Sequence, residues 1–185
     1  MKKVEVEISE AHYRTLKEVA DRLEEGKRPK VHFEFGQGSR ESLEYAIKKF
    51  ADKQCTDSWG LNEKECIQYF GAESEKPEDL EEATIEAARK YGLKRICVHT
   101  SKFVFSISKY DVKREVEALR KGCLVTAALT MGKINEKNLG LAKNLPLTEI
   151  ETKTKKVEGS YNFCLIPAYQ NPSPKILTGL GDTFA

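Results

Sequence analysis

The tail Gly179-Leu180-Gly181-Asp182-Thr183 sets two glycines around a leucine and follows them with an aspartate. Glycines at that spacing let backbone N–H groups close around an anion without interference from a Cβ, and an aspartate beside such a nest suits a general base. A hydroxyl deprotonated there would attack a phosphoryl group held by the nest, because phosphoryl transfer needs mainly positioning and charge stabilisation. The same residues also read as an ordinary tight turn ending in an Asx residue.

Two further patterns bring carboxylates to chemically useful places. His32-Phe33-Glu34 closes a predicted strand, and strand alternation turns His32 and Glu34 to one side, where a carboxylate would meet magnesium directly or through water. A partly exposed strand end with two polar residues has the same pattern. Asn62-Glu63-Lys64-Glu65 follows a strand and opens a helix, which places Glu65 one turn in, near the carboxyl edge where open α/β sheets bind ligands. Asn at an N-cap with Glu three positions later is also a capping box, so these residues would serve structure and chemistry together.

The elements that must position these groups alternate in type. Ser9 caps a predicted helix through about Glu25, and Lys30 to Phe35 reads as a strand. Ser39 caps a second helix with Leu43, Ala46, Ile47 and Phe50 inward. Cys55 to Leu61 is a strand, Asn62 opens a short helix, and Pro77 to Tyr91 is a longer helix closed by Gly92. Strands follow over Arg95–His99 and Phe103–Ile107, then a long helix from about Val112 to Met131. Asn135 to about Thr154 reads as a polar helical stretch, and Phe163 to Ala168 as a last clear strand leading through Pro172 and Pro174 to Ile176-Leu177-Thr178. Strands alternating with helices imply an α/β fold with a mainly parallel sheet flanked by helices.

Composition narrows the partners. At 185 residues, 39% hydrophobic and 32% charged, the chain fits one globular α/β domain over residues 1–185. The net charge is +2 with both signs interleaved, so no basic stripe marks a nucleic-acid or membrane surface, and small ligands are expected. Five widely spaced cysteines without a Cys-x-x-Cys pair read as buried reduced thiols. There is no long apolar span, and Met1-Lys2-Lys3-Val4-Glu5 lacks a signal-peptide core, so a cytoplasmic location is expected.

Taken together and in this order, His-x-Glu, Asn-x-x-Glu and Gly-x-Gly-Asp make residues 30–185 resemble the carboxy-terminal part of the ADP-dependent glucokinases and phosphofructokinases, which have a ribokinase-like fold. Gly60-Leu61-Asn62-Glu63, Val98-His99-Thr100 and Ile166-Pro167 resemble the same family. The resemblance implies that Asp182 is the catalytic base and that Gly179 and Gly181 form the anion hole. It implies Mg2+ held with help from Glu34, Glu65 and Asp182, Glu63 being a rival to Glu65. It also implies a nucleotide, ADP as phosphoryl donor and AMP as product, beside Asn62, His99 and Thr100, with the adenine running along the backbone near Asn171.

Family members are much longer, and the resemblance implies that the sugar-binding residues and the lid lie mostly in an amino-terminal portion expected to be absent here. The expectation is an incomplete ribokinase-like sheet, inactive alone, that meets a sugar or sugar phosphate only with the missing half: either a split enzyme completed by an amino-terminal partner chain or the remnant of an interrupted gene. A nucleotide-binding regulatory module and an ATP-using ribokinase-like enzyme are the alternatives.

Overall fold

The computed structural model describes residues 30–36 and 56–176, with Arg14, Glu18 and Ile47 as single positions. The predicted helices after Ser9 and Ser39 lie outside the described residues, apart from those three positions, which are helical. The remaining elements are β1 (His32–Glu34), β2 (Ser58–Asn62), α1 (Glu63–Glu65), α2 (Pro77–Lys90), β3 (Arg95–His99), β4 (Phe103–Ser108), α3 (Val112–Thr130), α4 (Glu136–Ala142), β5 (Lys153–Lys156) and β6 (Asn162–Pro167). After α1 the chain widens into a π-helical turn, Cys66–Phe70, that ends on Gly71 at φ 77°.

The described strands form one sheet in the order β1-β2-β3-β4-β6-β5. The α/β class stands, but the sheet is mixed rather than mainly parallel. β1, β2 and β3 run parallel, and β4, β6 and β5 join by antiparallel pairing. The cause is the short link Thr100–Lys102 between β3 and β4, which is far below the dozen or so residues a parallel crossover requires. At the start of the parallel strands Asp57 ties three segments together. Its carboxylate accepts from Val31 N at 3.1 Å and from Lys94 Nζ at 2.8 Å, while its backbone oxygen accepts from Lys94 N and Arg95 N.

Sequence alternation decides which side chains meet which helix. Trp59 and Leu61 on β2, Ile96 and Val98 on β3, Phe103, Phe105 and Ile107 on β4, and Phe163 and Leu165 on β6 share one buried face. Helix α2 covers it with Leu80, Ala83, Thr84, Ala87 and Ala88, the i, i+3, i+4, i+7, i+8 pattern of a helix stripe. Pro77 starts α2, and Gly92 at φ 65° stops it in a Schellman turn, with Leu93 N donating to Ala88 O and Gly92 N to Arg89 O. The opposite face carries Cys97, Val104, Cys164 and Ile166 under Leu119 and Cys123 of α3. α3 is capped by Asp111, which accepts from Arg114 N. Where α3 approaches, the sheet offers small side chains, Cys97, Ser106 and Cys164, in register across three strands.

The helical stretch predicted over Asn135–Thr154 is shorter in the structure: α4 ends at Ala142, and Lys153–Lys156 is strand β5. Pro146 cannot donate in a helix, and Leu147 instead bridges to Tyr169. Among the described residues no helix is long and apolar enough to cross a membrane.

Cys66, Cys97, Cys123 and Cys164 are free and buried; Cys55 lies outside the described residues. Burial pushes the thiols up, to about 11 for Cys66, Cys97 and Cys164 and to about 12 for Cys123. At pH 8 a small thiol reagent should therefore react with these four thiols on the order of 100-fold more slowly in the native chain than in the urea-unfolded chain. Equal rates would show that the thiols are reachable. Because these folded values are raised, the linked stability is fully present below the unfolded thiol value of about 8.5 and is lost as pH rises through 11 to 12.

Candidate functional site

A cleft of roughly 900 Å3 opens where the parallel strands end. Asn62 and His99, the last residues of β2 and β3, stand on one side, and the β3–β4 link follows with Thr100, Ser101 and Lys102. The other walls are Cys123, Thr126, Ala127 and Thr130 of α3 and the stretch Ala168 to Asn171 after β6. This is the carboxyl edge of the parallel strands, where the loops of an open sheet diverge and leave space for a ligand.

Local hydrogen bonds hold these walls in place. Thr100 Oγ1 accepts from the N–H groups of Lys102 and Phe103 and donates to Phe103 O, which fixes the three-residue link. Thr148 Oγ1 and Ala168 N both donate to Lys102 O. Asn171 donates through Nδ2 to Thr130 Oγ1 at 2.8 Å and accepts from Ser173 N at 3.0 Å, so its amide fastens the loop to the end of α3.

The carboxylates are held differently from one another. Glu65 closes the capping box: its Oε2 accepts from Asn62 N at 2.8 Å, while Asn62 Oδ1 accepts from Glu65 N at 2.9 Å. Burial raises the Glu65 pKa against the opposing pull of the Asn62 N–H. Glu63, not Glu65, lines the cleft. Glu34 makes two contacts with imidazoles, Oε2 to His32 Nε2 at 3.0 Å and Oε1 to His99 Nε2 at 2.8 Å. Burial alone would raise the Glu34 pKa, but the hydrogen bonds and charges of the two histidines outweigh it and the net shift is downward. Its carboxylate contribution to stability is thus present above the ordinary range near 4.3 and lost as pH falls through its lowered value.

Of the residues singled out in the sequence, the structure gathers Asn62, Glu63, His99, Thr100 and Asn171 around one cleft. Glu34 reaches that cleft through His99, and Glu65 stands under its rim in the capping box. Gly179, Gly181 and Asp182 lie outside the described residues. Sequence reasoning missed Lys102, Cys123, Ala127 and Tyr169 as lining residues. The i, i+4 and i+7 spacing of Cys123, Ala127 and Thr130 was visible, but it is also the spacing of any buried helix stripe. Among the described residues no group of three or more His, Cys, Asp or Glu comes together as a metal site.

The description "ADP-specific Phosphofructokinase/Glucokinase conserved region" matches residues 1–185. The chain belongs to this family. A curated member, the ADP-dependent glucose/glucosamine kinase of Pyrococcus furiosus, is 29% identical over 157 residues, covering 69% of this chain and 34% of that protein. A phosphofructokinase from Pyrococcus horikoshii OT3 solved with AMP superposes with a TM-score of 0.72 at 19% identity, over 84% of this chain and 40% of its own. An ADP-dependent kinase in complex with fructose 6-phosphate and ADPβS gives 0.76 at 18% identity, over 95% and 47%. These solved members share the fold described above. The chain spans about a third of the curated relative and less than half of these two solved kinases.

Proposed function

We propose that this chain carries the nucleotide-binding part of an ADP-dependent sugar kinase, which moves the terminal phosphoryl group of ADP to glucose or fructose 6-phosphate. The supporting observation is the roughly 900 Å3 cleft at the carboxyl ends of β2 and β3 in a chain of this family. The cleft takes the adenosine, with the backbone of the Asn171 stretch beside the base and His99, Thr100 and Asn62 toward the phosphates. Lys102 brings a cation to the same lining.

Asp182 is the base in this reading. It accepts the proton of the attacking sugar hydroxyl as that oxygen bonds to the β-phosphorus, and AMP departs with the electrons of the broken P–O bond. Backbone N–H groups at Gly179 and Gly181 hold the transferring group. Glu34 and Glu65 are hard oxygen donors, and each already accepts at least one hydrogen bond, which suits contact with Mg2+ through water beside the substrate phosphates. An ion held there would supply positive charge to the phosphoryl oxygens. The sugar is held by other parts of the enzyme, whether on the same polypeptide or on a partner chain.

Calorimetric titration with AMP, ADP and ATP, each with and without magnesium, tests the reading. Saturable binding of AMP and ADP, with ATP at least about tenfold weaker, is the expected result. No binding by a folded chain, or a preference for ATP, would overturn it.

A further inference from the structure

The contact between Glu34 and His99 spans a strand that lies between them. Glu34 pairs with Gly60 on β2, and Gly60 pairs with Cys97 on β3, so the carboxylate must pass over β2 to reach His99 two residues further along β3. Neighbouring strands are separated by about 4.8 Å, which makes the reach close to 10 Å from backbone to backbone. The two side chains can meet across that distance, over β2, only if the strand beneath presents no side chain between them.

Gly60 provides the gap. A Cβ at this position would overlap Glu34 Oε2 outright and would stand 2.8 Å from Glu34 Cδ and 2.9 Å from His32 Nε2. No real Cβ tolerates such contacts, and here the obstacle is a carboxylate held at both oxygens. A glycine inside a strand weakens it and marks a place where another group comes close. On β2 that group is Glu34.

We infer that Gly60 is a positioning residue of the nucleotide site: it lets Glu34 cross β2 and fix the imidazole of His99 against the cleft. The inference rests on the reading of the cleft as a nucleotide site. The chain of contacts runs from Ser58 Oγ to His32 Nδ1 at 2.9 Å, through His32 Nε2 and both oxygens of Glu34, to His99 Nε2, and His99 lines the cleft. The sheet thereby connects an element remote from the ligand to a side chain beside it.

A double-mutant cycle on the folded chain tests the inference, with AMP affinity measured in chelator so that no ion contributes and thermal melting followed in parallel. Gly60→Ala and Glu34→Ala should each weaken AMP binding about tenfold, the usual scale for losing a hydrogen bond to a charged group. The double variant should be no worse than either single one, because removing the carboxylate takes away the overlapping atoms and leaves the new methyl only His32 Nε2, at 2.9 Å and no longer tied to Glu34, to move aside. The same non-additivity should appear in the melts. If Gly60→Ala alone fails to fold, the double variant should fold again. Gly60→Ala binding within twofold of the parent, losses that multiply in the double variant, or a double variant that also fails to fold would overturn the inference. Wild-type chain that binds neither AMP nor ADP would overturn the nucleotide reading itself, and the inference with it.

Discussion

Trp59→Ala is expected to cost about 3–5 kcal/mol of folding stability, the range for removing a large buried aromatic side chain. Trp59 is fully buried on β2, and its indole ring is central to an aromatic group. It stacks on Phe70 at 6.1 Å, meets Tyr91 at 5.1 Å and receives the edge of Phe35 at 5.5 Å. Its Nε1 donates to Thr56 Oγ1 at 2.9 Å, so truncation also leaves a buried hydroxyl without its donor. Three separate segments, the residue after β1, the turn after α1 and the cap of α2, lose their common partner at once. Urea unfolding followed by far-UV circular dichroism gives the number. A midpoint unchanged from the parent would mean that this aromatic group does not hold the parallel half of the sheet.

Asp182→Asn should lower phosphoryl transfer by about 10²–10⁴-fold in an active enzyme containing this chain, the usual contribution of a positioned base. AMP affinity should stay within about threefold, because a base acts as the proton leaves and contributes little to ground-state binding. The comparison needs single-turnover transfer from ADP alongside equilibrium AMP titration on the same preparations. Retained turnover would remove Asp182 from the mechanism. A parallel loss of AMP affinity would show that the residue shapes the pocket instead.

The sequence was most legible where one local rule decided the outcome. Arg95–His99 is a β-branched run between a helix stop and a short link, and its predicted bounds match those of β3. Pro77 and Gly92 bracket α2 because a proline opens and a left-handed glycine closes a helix whatever surrounds it. The Asn62–Glu65 capping box was readable for the same reason, since both of its hydrogen bonds lie within four residues.

Features set by distant residues were not readable. Lys153–Lys156 has no apolar alternation and becomes a strand only through its pairing with β6. His99 and Glu34 are 65 positions apart, and only the sheet register brings them to 2.8 Å. Gly60 carries no chemical signal of its own; its meaning depends on what passes above it.

Strand β5 ends the sheet with Lys153, Lys155 and Lys156 among its four residues, all exposed. Lys155 is tied back to Glu81 at 2.9 Å and lies over the ring of Phe163, while the outer edge of β5 pairs with no other described strand. Two copies approaching edge to edge here would bring like charges together before any backbone bond could form. The repulsion is a matter of colloidal behaviour and not of folding, and it weakens over a screening length that shrinks to about 3 Å at 1 M salt. This end of the sheet is therefore protected from self-association in dilute buffer and becomes progressively more adhesive as salt is raised.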